Sequence, residues 1–562
     1  MDDTQQTMEQ QASAQRANAA SPPPPPAPND VQGNPVPPER IFFDTRTGQQ
    51  IRPFNSPPGT PMPTFTPPHV FTQGESILGF FALAVGTCFC RYVLWHKLGV
   101  FTSLFYLAVI VASLLFLRHK KYTLTGRQKL AAGAFMVFST LFAFSANSEL
   151  CAAMIFFLNG GIAYWIYLIC AKNRGIDRLF FFDLMKSIFE QPFTNNTYMF
   201  KAMHRTQKSA GFGKNVLYIF IGLLITIPLT AIVASLLMRA DDNVQQMLHS
   251  LEDLLSEEIW EIFGQFLVGI PVAMYFFAML FSNTTKYRCK PLNEDGCNRS
   301  IEGFRCMPNV MAYAGVTPIC VLYVLFFISQ GSYFLSAFAG KLPDTFSYAG
   351  YARKGFFELC TLAVINLLVI GALNLLAKDS GKEKPLPLRL YSAFLAFCTL
   401  FMIVTAESKM FLYIDAYGLT KLRLYTAWFM LFLGIVFLLI LIRQFRPTLT
   451  VLRGCVTVGV VMFGLLAFSR PEAIIARYNI SQYKAGNLKE LDIDMLLDLS
   501  DDAYSVVLDN TDTVLESGVD AGRYMRHYDR RHRDLDADRF ERYNLSTWEV
   551  ERITLEPVEQ TK

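Results

Sequence analysis

Hydrophobic runs of about twenty residues recur along this 562-residue chain from Ser76 onward, and they constrain its fold more than any other feature. A helix of this length crosses the ~30 Å hydrocarbon core of a bilayer. Backbone polar groups within lipid must bond to one another, so such runs fold as a helix bundle. The sequence therefore predicts an all-α, polytopic membrane protein. Eleven spans are predicted, at about 76–95, 98–117, 130–146, 150–171, 216–238, 262–282, 309–330, 356–377, 390–406, 424–442 and 450–468.

Composition agrees with a chain that lies largely in lipid. Charged residues make up only 17% of it, whereas soluble proteins have about 25%. This deficit excludes an ordinary cytosolic enzyme and a nucleic-acid-binding module. The charge is also uneven: residues 1–75 carry a net −3, residues 76–469 a net +14 and residues 470–562 a net −7. We therefore predict a membrane domain over 76–469 between two polar ends.

The N-terminal segment, residues 1–75, holds 16 of the 28 prolines and shows no apolar periodicity. It buries too little apolar surface to offset the entropy of ordering it, which predicts a disordered, proline-rich tail. Its polyproline stretches make it a candidate docking arm for a protein partner. No cleaved signal peptide is expected, because a charged region followed directly by an apolar stretch is missing.

Loop charges predict the orientation, because cytoplasmic loops are rich in Lys and Arg. Alternate loops of the eleven-span order carry 25 basic and 8 acidic residues, with Arg453 counted, whereas the intervening loops carry 8 and 11. This asymmetry predicts a multi-pass cell-membrane protein with a cytoplasmic N-terminus and an extracytoplasmic C-terminal segment.

Two polar segments contain apolar residues that favour contact with lipid or with each other. In the C-terminal segment, 470–562, apolar residues at helical intervals predict short amphipathic helices that pack together or on the outer membrane surface. In the predicted cytoplasmic stretch 172–215, basic residues alternate with Phe and Leu. That mixture is typical of a helix on an anionic lipid surface.

Motifs for nucleotide-driven or hydrolytic chemistry do not occur in the sequence: it has no P-loop, no dinucleotide-binding glycine pattern, no H-E-x-x-H and no G-x-S-x-G. Cys289, Cys297 and Cys306 share a loop, but spacings of eight and nine do not match the paired cysteines of zinc sites. No cofactor, metal or nucleic-acid partner is expected. Within the eighth span, Asn366 and Asn374 are predicted to form hydrogen bonds between helices.

Three sequence blocks carry a family resemblance. They are TFSYAGYARKGFFEL at 345–359, ESKMFLYIDAYGLTKLRLY at 407–425 and SRPEAIIARYNISQY…LDIDMLLDLSDDA at 469–503. With FERYNLSTWEVER at 540–552, they resemble the bacterial multi-spanning membrane proteins of the domain-of-unknown-function 4173 family, which is related to the 4153 family. The resemblance implies a bacterial plasma-membrane protein and no particular activity. Arg470 stands where similar sequences typically have Asn.

The predicted topology brings the three blocks to the extracytoplasmic interface, where charges near the hydrocarbon must pair or meet water. We therefore predict one outer-face cluster in which Arg353 engages Glu407 or Asp415, with the start of the C-terminal segment docked over it. Structural roles stay open, since the tyrosines suit an interfacial aromatic belt and Ser469 with Glu472 has the spacing of a helix capping box. The candidate residues are Tyr351, Arg353, Glu358, Glu407, Lys409, Tyr413, Asp415, Tyr417, Glu472, Arg477 and Asn479.

Three functions fit these observations. Eleven spans, prolines within spans and sparse intramembrane polarity favour a small-solute or ion transporter. A membrane-embedded enzyme with acids and bases at the outer face is one alternative. The other is a sensor or scaffold that uses the outer helical segment as a receptor and the N-terminal tail as a docking arm.

Overall fold

The structure is a computed structural model that divides into two units, Met1–Pro68 and His69–Lys562. In the first unit the strands β1 (Phe42–Phe43) and β2 (Gln50–Ile51) pair antiparallel. The sequence did not predict this pairing within the N-terminal tail. The structure describes residues 42–43, 50–51, 69–95, 98–171, 175–206, 257–289, 291–338, 356–378, 385–537 and 543–553, with a few single positions between 222 and 237.

Helices form nearly all of the described part of the second unit, which confirms the predicted all-α fold class. The helices that build the bundle are α1 (Gln73–Phe89, continued by a π-helical turn, Cys90–Trp95), α2 (Val100–His119), α3 (Gly126–Ser139), α4 (Leu141–Phe144), α5 (Ser148–Cys170), α6 (Phe180–Met185, continued by a π-helical turn, Lys186–Glu190), α7 (Gln191–Thr194), α8 (Tyr198–Thr206), α9 (Glu257–Thr285), α10 (Glu294–Gly303), α11 (Asn309–Phe338), α12 (Phe356–Leu376), α13 (Leu386–Tyr417), α14 (Lys421–Phe445) and α15 (Val451–Phe468). The C-terminal domain is built from α16 (Pro471–Lys484), α17 (Ile493–Leu497), α18 (Asp501–Leu508), α19 (Thr511–Glu516), α20 (Ala521–Ala537) and α21 (Leu545–Glu551).

Nine helices among the described residues are long and apolar enough to cross a membrane. They are α1, α2, α5, α9 and α11 to α15, and each overlaps one of the predicted spans. The third predicted span, 130–146, is instead divided between α3 and α4, because the chain turns at Thr140. The fifth, 216–238, falls largely outside the described residues. The chain is therefore a multi-pass integral membrane protein.

Contacts between loops define two ends of the bundle. At the domain end, which carries the C-terminal domain, Tyr543 O accepts a hydrogen bond of 2.9 Å from Val100 N, at the start of α2. At the opposite end, Tyr122 beyond α2 donates to Thr284 O of α9 at 3.2 Å. Ser76 at the start of α1 donates to Ala202 O of α8 at 2.6 Å. Thus α8 ends at the opposite end, while α9 begins at the domain end.

Two apolar cores hold the described helices together. One core joins α1 to α5 with α8 and α9, and the other joins α11 to α14 with the C-terminal domain. Helix α15 contributes to both, with Cys455 packed on the second core and Phe463 and Ala467 on the first. The membrane domain is therefore two packed groups of helices with α15 between them.

The second group also has a buried polar contact among its spans. Asn366 of α12 accepts a hydrogen bond from Tyr323 of α11 at 2.7 Å and donates to Thr399 of α13 at 2.8 Å. This confirms the predicted bonding between helices for Asn366. Asn374 donates to Ile370 O of its own helix at 2.6 Å. Because hydrocarbon offers no alternative partner, the two bonds of Asn366 fix the register of α11, α12 and α13 relative to one another.

Helices α1 and α9 of the first group cross in backbone contact at two glycines. A Cβ placed on Gly86 would lie 2.1 Å from Gly269 O and 2.8 Å from Ala273 N. A Cβ on Gly269 would in turn lie 3.0 Å from the carbonyl carbon of Gly86. Small residues are the usual means of such close approach between membrane helices.

Candidate site at the domain end

Helix α13 extends past the end of the predicted ninth span, 390–406. It continues through Glu407 and Lys409 to Tyr417, and the chain turns only at Gly418, where φ is +76°. The predicted end of this span at residue 406 is therefore wrong, because the polar residues that follow it are helical. Two charged side chains do not end a helix, whereas glycine readily takes the positive φ with which the chain leaves it here. The connection to α14 is only Gly418–Thr420.

The end of α13 carries three predicted site residues on two faces of the helix. Tyr413 and Tyr417, four residues apart, lie with their rings 5.2 Å apart. The Arg423 guanidinium lies 4.1 Å from the centre of the Tyr413 ring and donates to Tyr417 O at 2.9 Å. Asp415 points elsewhere and accepts a hydrogen bond of 3.1 Å from Tyr478 of the C-terminal domain.

Helix α16 binds the α13–α14 turn through Asn479. The Asn479 side-chain amide accepts from Leu419 N and donates to Leu419 O, both at 2.7 Å. A Cβ on Gly418 would lie 2.5 Å from Asn479 Oδ1, so this contact needs glycine there. The paired bonds hold the start of the C-terminal domain against the second helix group.

Glu472 of α16 is buried between the C-terminal domain and the bundle. Its carboxylate accepts from Lys421 Nζ at 2.7 Å, from the Asn147 amide at 2.8 Å and from Ser500 N at 2.5 Å. The capping box predicted for Ser469 and Glu472 does not form: the residue that caps α16 is Arg470, at φ +52° and without a side-chain cap. Glu472 lies two residues later, in the first turn of α16.

Asp502 of α18 is a second buried carboxylate beside Glu472. It accepts from Ser145 Oγ at 2.5 Å, Ala146 N at 2.8 Å and Ser546 Oγ at 2.5 Å. Ser145 and Ala146 belong to the loop between α4 and α5, in the first helix group. We call the contacts of Glu472 and Asp502 with the bundle the junction. It bonds the C-terminal domain to both helix groups.

Arg470 supports the junction from within the C-terminal domain. Its guanidinium forms a two-pronged ion pair with Glu549, at 2.6 and 3.1 Å, and donates to Ser546 at 3.0 Å. Arg531 similarly pairs with the buried Asp501 at 2.8 Å. Planar guanidinium groups suit such paired contacts, which fix the relative positions of α16, α18, α20 and α21.

The other predicted site residues are less closely connected. Tyr351 and Arg353 lie outside the described residues, so the pairing of Arg353 with Glu407 or Asp415 stays a prediction. Glu358 is exposed on α12 within electrostatic reach of Lys409. Glu407 is partly buried near Cys360, and Arg477 is exposed on α16. No group of three or more His, Cys, Asp or Glu side chains in the described part of the chain is arranged to hold a metal.

Sequence reasoning missed Asp502 and its partners in the loop Ser145–Asn147. A signal was present for Asp502, since it stands one helical turn from Leu499 and Val506 and so shares their apolar face. A carboxylate on such a face needs buried donors. Ser145 and Asn147 offered no comparable signal, because short polar residues are ordinary in a loop between spans.

A cleft of about 1110 Å³ opens between the end of α13 and the C-terminal domain. Asp415 and Tyr417 line it on the bundle side. On the domain side lie residues 487–494 and 517–519 together with Arg523, which pairs with Asp494 at 2.7 Å. The lining carries the carboxylates Asp415, Glu490, Asp492 and Asp494 and the cations Lys489 and Arg523. Such a cleft suits a polar solute with positive charge.

The junction carboxylate makes stability depend on pH. Burial raises the pKa of Asp502 above its ordinary value of 3.8, and the donors Ser145, Ser546 and Ala146 with Arg470 only partly oppose this. Between pH 3.8 and this raised pKa, the folded protein holds a proton that the unfolded chain has released. The resulting stabilisation is complete below pH 3.8 and is lost as pH rises through the raised pKa.

We therefore expect the free energy of unfolding of the wild type, relative to Asp502→Asn, to fall as pH rises through that window and then level off. Unfolding of both proteins in the same detergent across this pH range measures it. A difference that stays flat, or rises with pH, would contradict the raised pKa.

Comparison with known proteins identifies the family of the chain. The family model described as domain of unknown function (DUF4153) matches residues 79–510, which cover the described spans except the start of α1, and also the junction. No curated protein and no solved structure matches the chain. Since the match covers more than half of the sequence, this multi-pass membrane protein belongs to the DUF4153 family.

Proposed function

We propose that the protein is a membrane transporter for a small polar solute with positive charge, and that the cleft is its external entrance. The observation that carries this proposal is the placement of an acidic, open cleft at the end of the bundle, against the last turn of α13. Transporters commonly work by movement of one helix group against another. The two separately packed helix groups, with α15 between them, are the groups that would move in this way.

A binding and uptake experiment tests the proposal. Purified protein is screened by thermal shift against amino acids, polyamines and other small cations, and any solute that binds is tested for uptake into proteoliposomes. We expect Asp415→Asn and Arg523→Gln, both in the cleft lining, to change binding. Arg526→Gln is the matched control, because Arg526 lies on the same helix outside the lining. Binding that is unchanged in both cleft variants would overturn the proposal.

Sensing is a second candidate, and the junction favours it. Glu472 and Asp502 bond the C-terminal domain to both helix groups, so a ligand in the cleft would bias their relative position. A solute that binds the cleft, is not taken up, and changes the protease sensitivity of loops at the opposite end would support sensing over transport.

Orientation in the cell membrane is part of the proposal. We infer that the domain end is extracytoplasmic and the N-terminus cytoplasmic, because the predicted basic loops are those at the opposite end. Reporter fusions after residues 250, 345 and 520 should report the outside. Fusions after residues 125, 205, 295 and 383 should report the cytoplasm. A cytoplasmic signal at 520 would invert the assignment.

Lipid contact at the opposite end is inferred for part of the stretch 172–215. Phe181, Met185, Phe189 and Phe193 recur at four-residue intervals through α6, the π-helical turn and α7, and all are exposed. An exposed apolar row of this kind is suited to the acyl region of an anionic leaflet. A protein partner for residues 1–75 is likewise proposed from their polyproline stretches.

Kinship with bacterial proteins of the domain-of-unknown-function 4173 family is also inferred. The blocks at 345–359, 407–425 and 469–503 support it, since they carry the specific strings on which the resemblance depends. Two of these blocks supply the contacts of the cleft and the junction, through Asp415, Glu472 and Asp502.

A further inference from the structure

An apolar slot lies on the outside of the bundle, between the domain-end halves of α1 and α2. Its volume is about 260 Å³. Ala84 and Cys88 of α1 and Ala108 of α2 form a narrow strip of small side chains along it. Larger side chains stand on either side of this strip. They are Phe81, Val85, Tyr92, Phe101, Leu104, Phe105 and Val109.

The dimensions of the slot fit one lipid chain. From Phe81 to Tyr92 the slot follows eleven residue steps of helix, or roughly 16 Å at the usual rise. That is about half of the ~30 Å hydrocarbon thickness, which is the depth that one acyl chain occupies. Ala84, Leu104 and Ala108 are exposed. A groove that is open sideways in a membrane-spanning helix pair is open to lipid.

The mouth of the slot supplies a positive charge. Tyr92 and Phe101 stack with ring centres 5.5 Å apart and line the domain-end part of the slot. The Arg91 guanidinium lies 5.9 Å from the centre of the Tyr92 ring. Both residues belong to the π-helical turn Cys90–Trp95, a type of distortion that is frequent at functional sites. An arginine at this depth can reach the interface and contact a phosphate.

We propose that the slot binds one acyl chain of an anionic phospholipid, with the lipid phosphate held by Arg91. The small side chains admit the chain, the aromatic walls enclose it, and the guanidinium selects the headgroup charge. This site is separate from the cleft and does not depend on the proposed transport.

Native mass spectrometry of the purified full chain tests the site, with phosphatidylglycerol and phosphatidylcholine of identical acyl chains as probes. We expect phosphatidylglycerol to be retained better by the wild type. Ala108→Phe should weaken its retention about tenfold, because the added ring occupies the volume that the acyl chain would fill. Arg91→Gln should remove the preference between the two lipids but keep binding of both.

Ala153→Phe on α5 is the matched control, because Ala153 is also an exposed alanine of a span and does not line the slot. If Ala108→Phe does not accumulate, Ala84→Leu places a smaller group in the same strip. Equal retention of the two lipids by the wild type, or retention unchanged by filling the slot, would overturn the proposal.

Discussion

Replacing Asp502 by alanine is expected to destabilise the attachment of the C-terminal domain by about 3 kcal/mol. The carboxylate is fully buried and accepts from Ser145, Ala146 and Ser546. Its removal leaves Ser145 and Ala146 without this acceptor in a site that excludes water, and the desolvation cost of both then falls on the folded state. Ser546 can instead donate to Phe144 O, which lies 2.9 Å away. Thermal unfolding in detergent and protease release of residues 470–553 measure the effect.

Asp494→Ala is the control for this prediction. Asp494 also forms an ion pair, with Arg523 at 2.7 Å, but the two side chains are 66% and 60% exposed. Exposed pairs contribute about 0–1 kcal/mol, so this variant should retain nearly wild-type stability. If Asp502→Ala were no more sensitive to protease than Asp494→Ala, the junction would not be the contact that attaches the C-terminal domain to the bundle.

Gly86→Ala is expected to cost about 3 kcal/mol or to prevent accumulation of folded protein. The added methyl group would meet Gly269 O at 2.1 Å and Ala273 N at 2.8 Å. Both are backbone atoms in a helix and cannot rotate away, so α1 and α9 would have to separate. Yield of monodisperse protein and its melting temperature in detergent measure the result.

The same substitution at Gly371 is the matched control. A Cβ there meets no atom of the described structure within 4 Å, and Gly371 also lies within a membrane-spanning helix, α12. Alanine is a better helix former than glycine by up to about 1 kcal/mol, so Gly371→Ala should be neutral or stabilising. Equal stability of the Gly86→Ala and Gly371→Ala proteins would rule out backbone contact between α1 and α9.

The spans were predictable because crossing a bilayer imposes a length and an apolar composition on each helix separately. The ends of the spans were less predictable where a helix continues past the last apolar residue into charged residues. At Glu407 the apolar run stops, but nothing in the backbone ends the helix before Gly418. The prediction ended the span where the apolar residues end, but the helix continues through its backbone hydrogen bonds to Tyr417.

The candidate site was predictable in its location but not in its contacts. Alternating topology brought Asp415, Glu472 and Asn479 to one end of the bundle, where the structure also has them. The partners of Glu472 were not predictable, since Asn147 lies 325 residues away in sequence. No local pattern specifies such a contact. It depends on how every helix between the two residues packs.

The junction also has a consequence for the order of assembly. Ser145 and its acceptor Asp502 are 357 residues apart, so the α4–α5 loop is made long before its partner exists. Contacts of such high sequence separation form late, after the intervening segments are in place. During synthesis, water at the membrane surface must meanwhile supply the hydrogen bonds of the polar groups in this loop. The junction can therefore form only after α18 has been synthesised, and it completes the attachment of the C-terminal domain to the bundle. A chain truncated before α18 cannot form the contacts of Asp502.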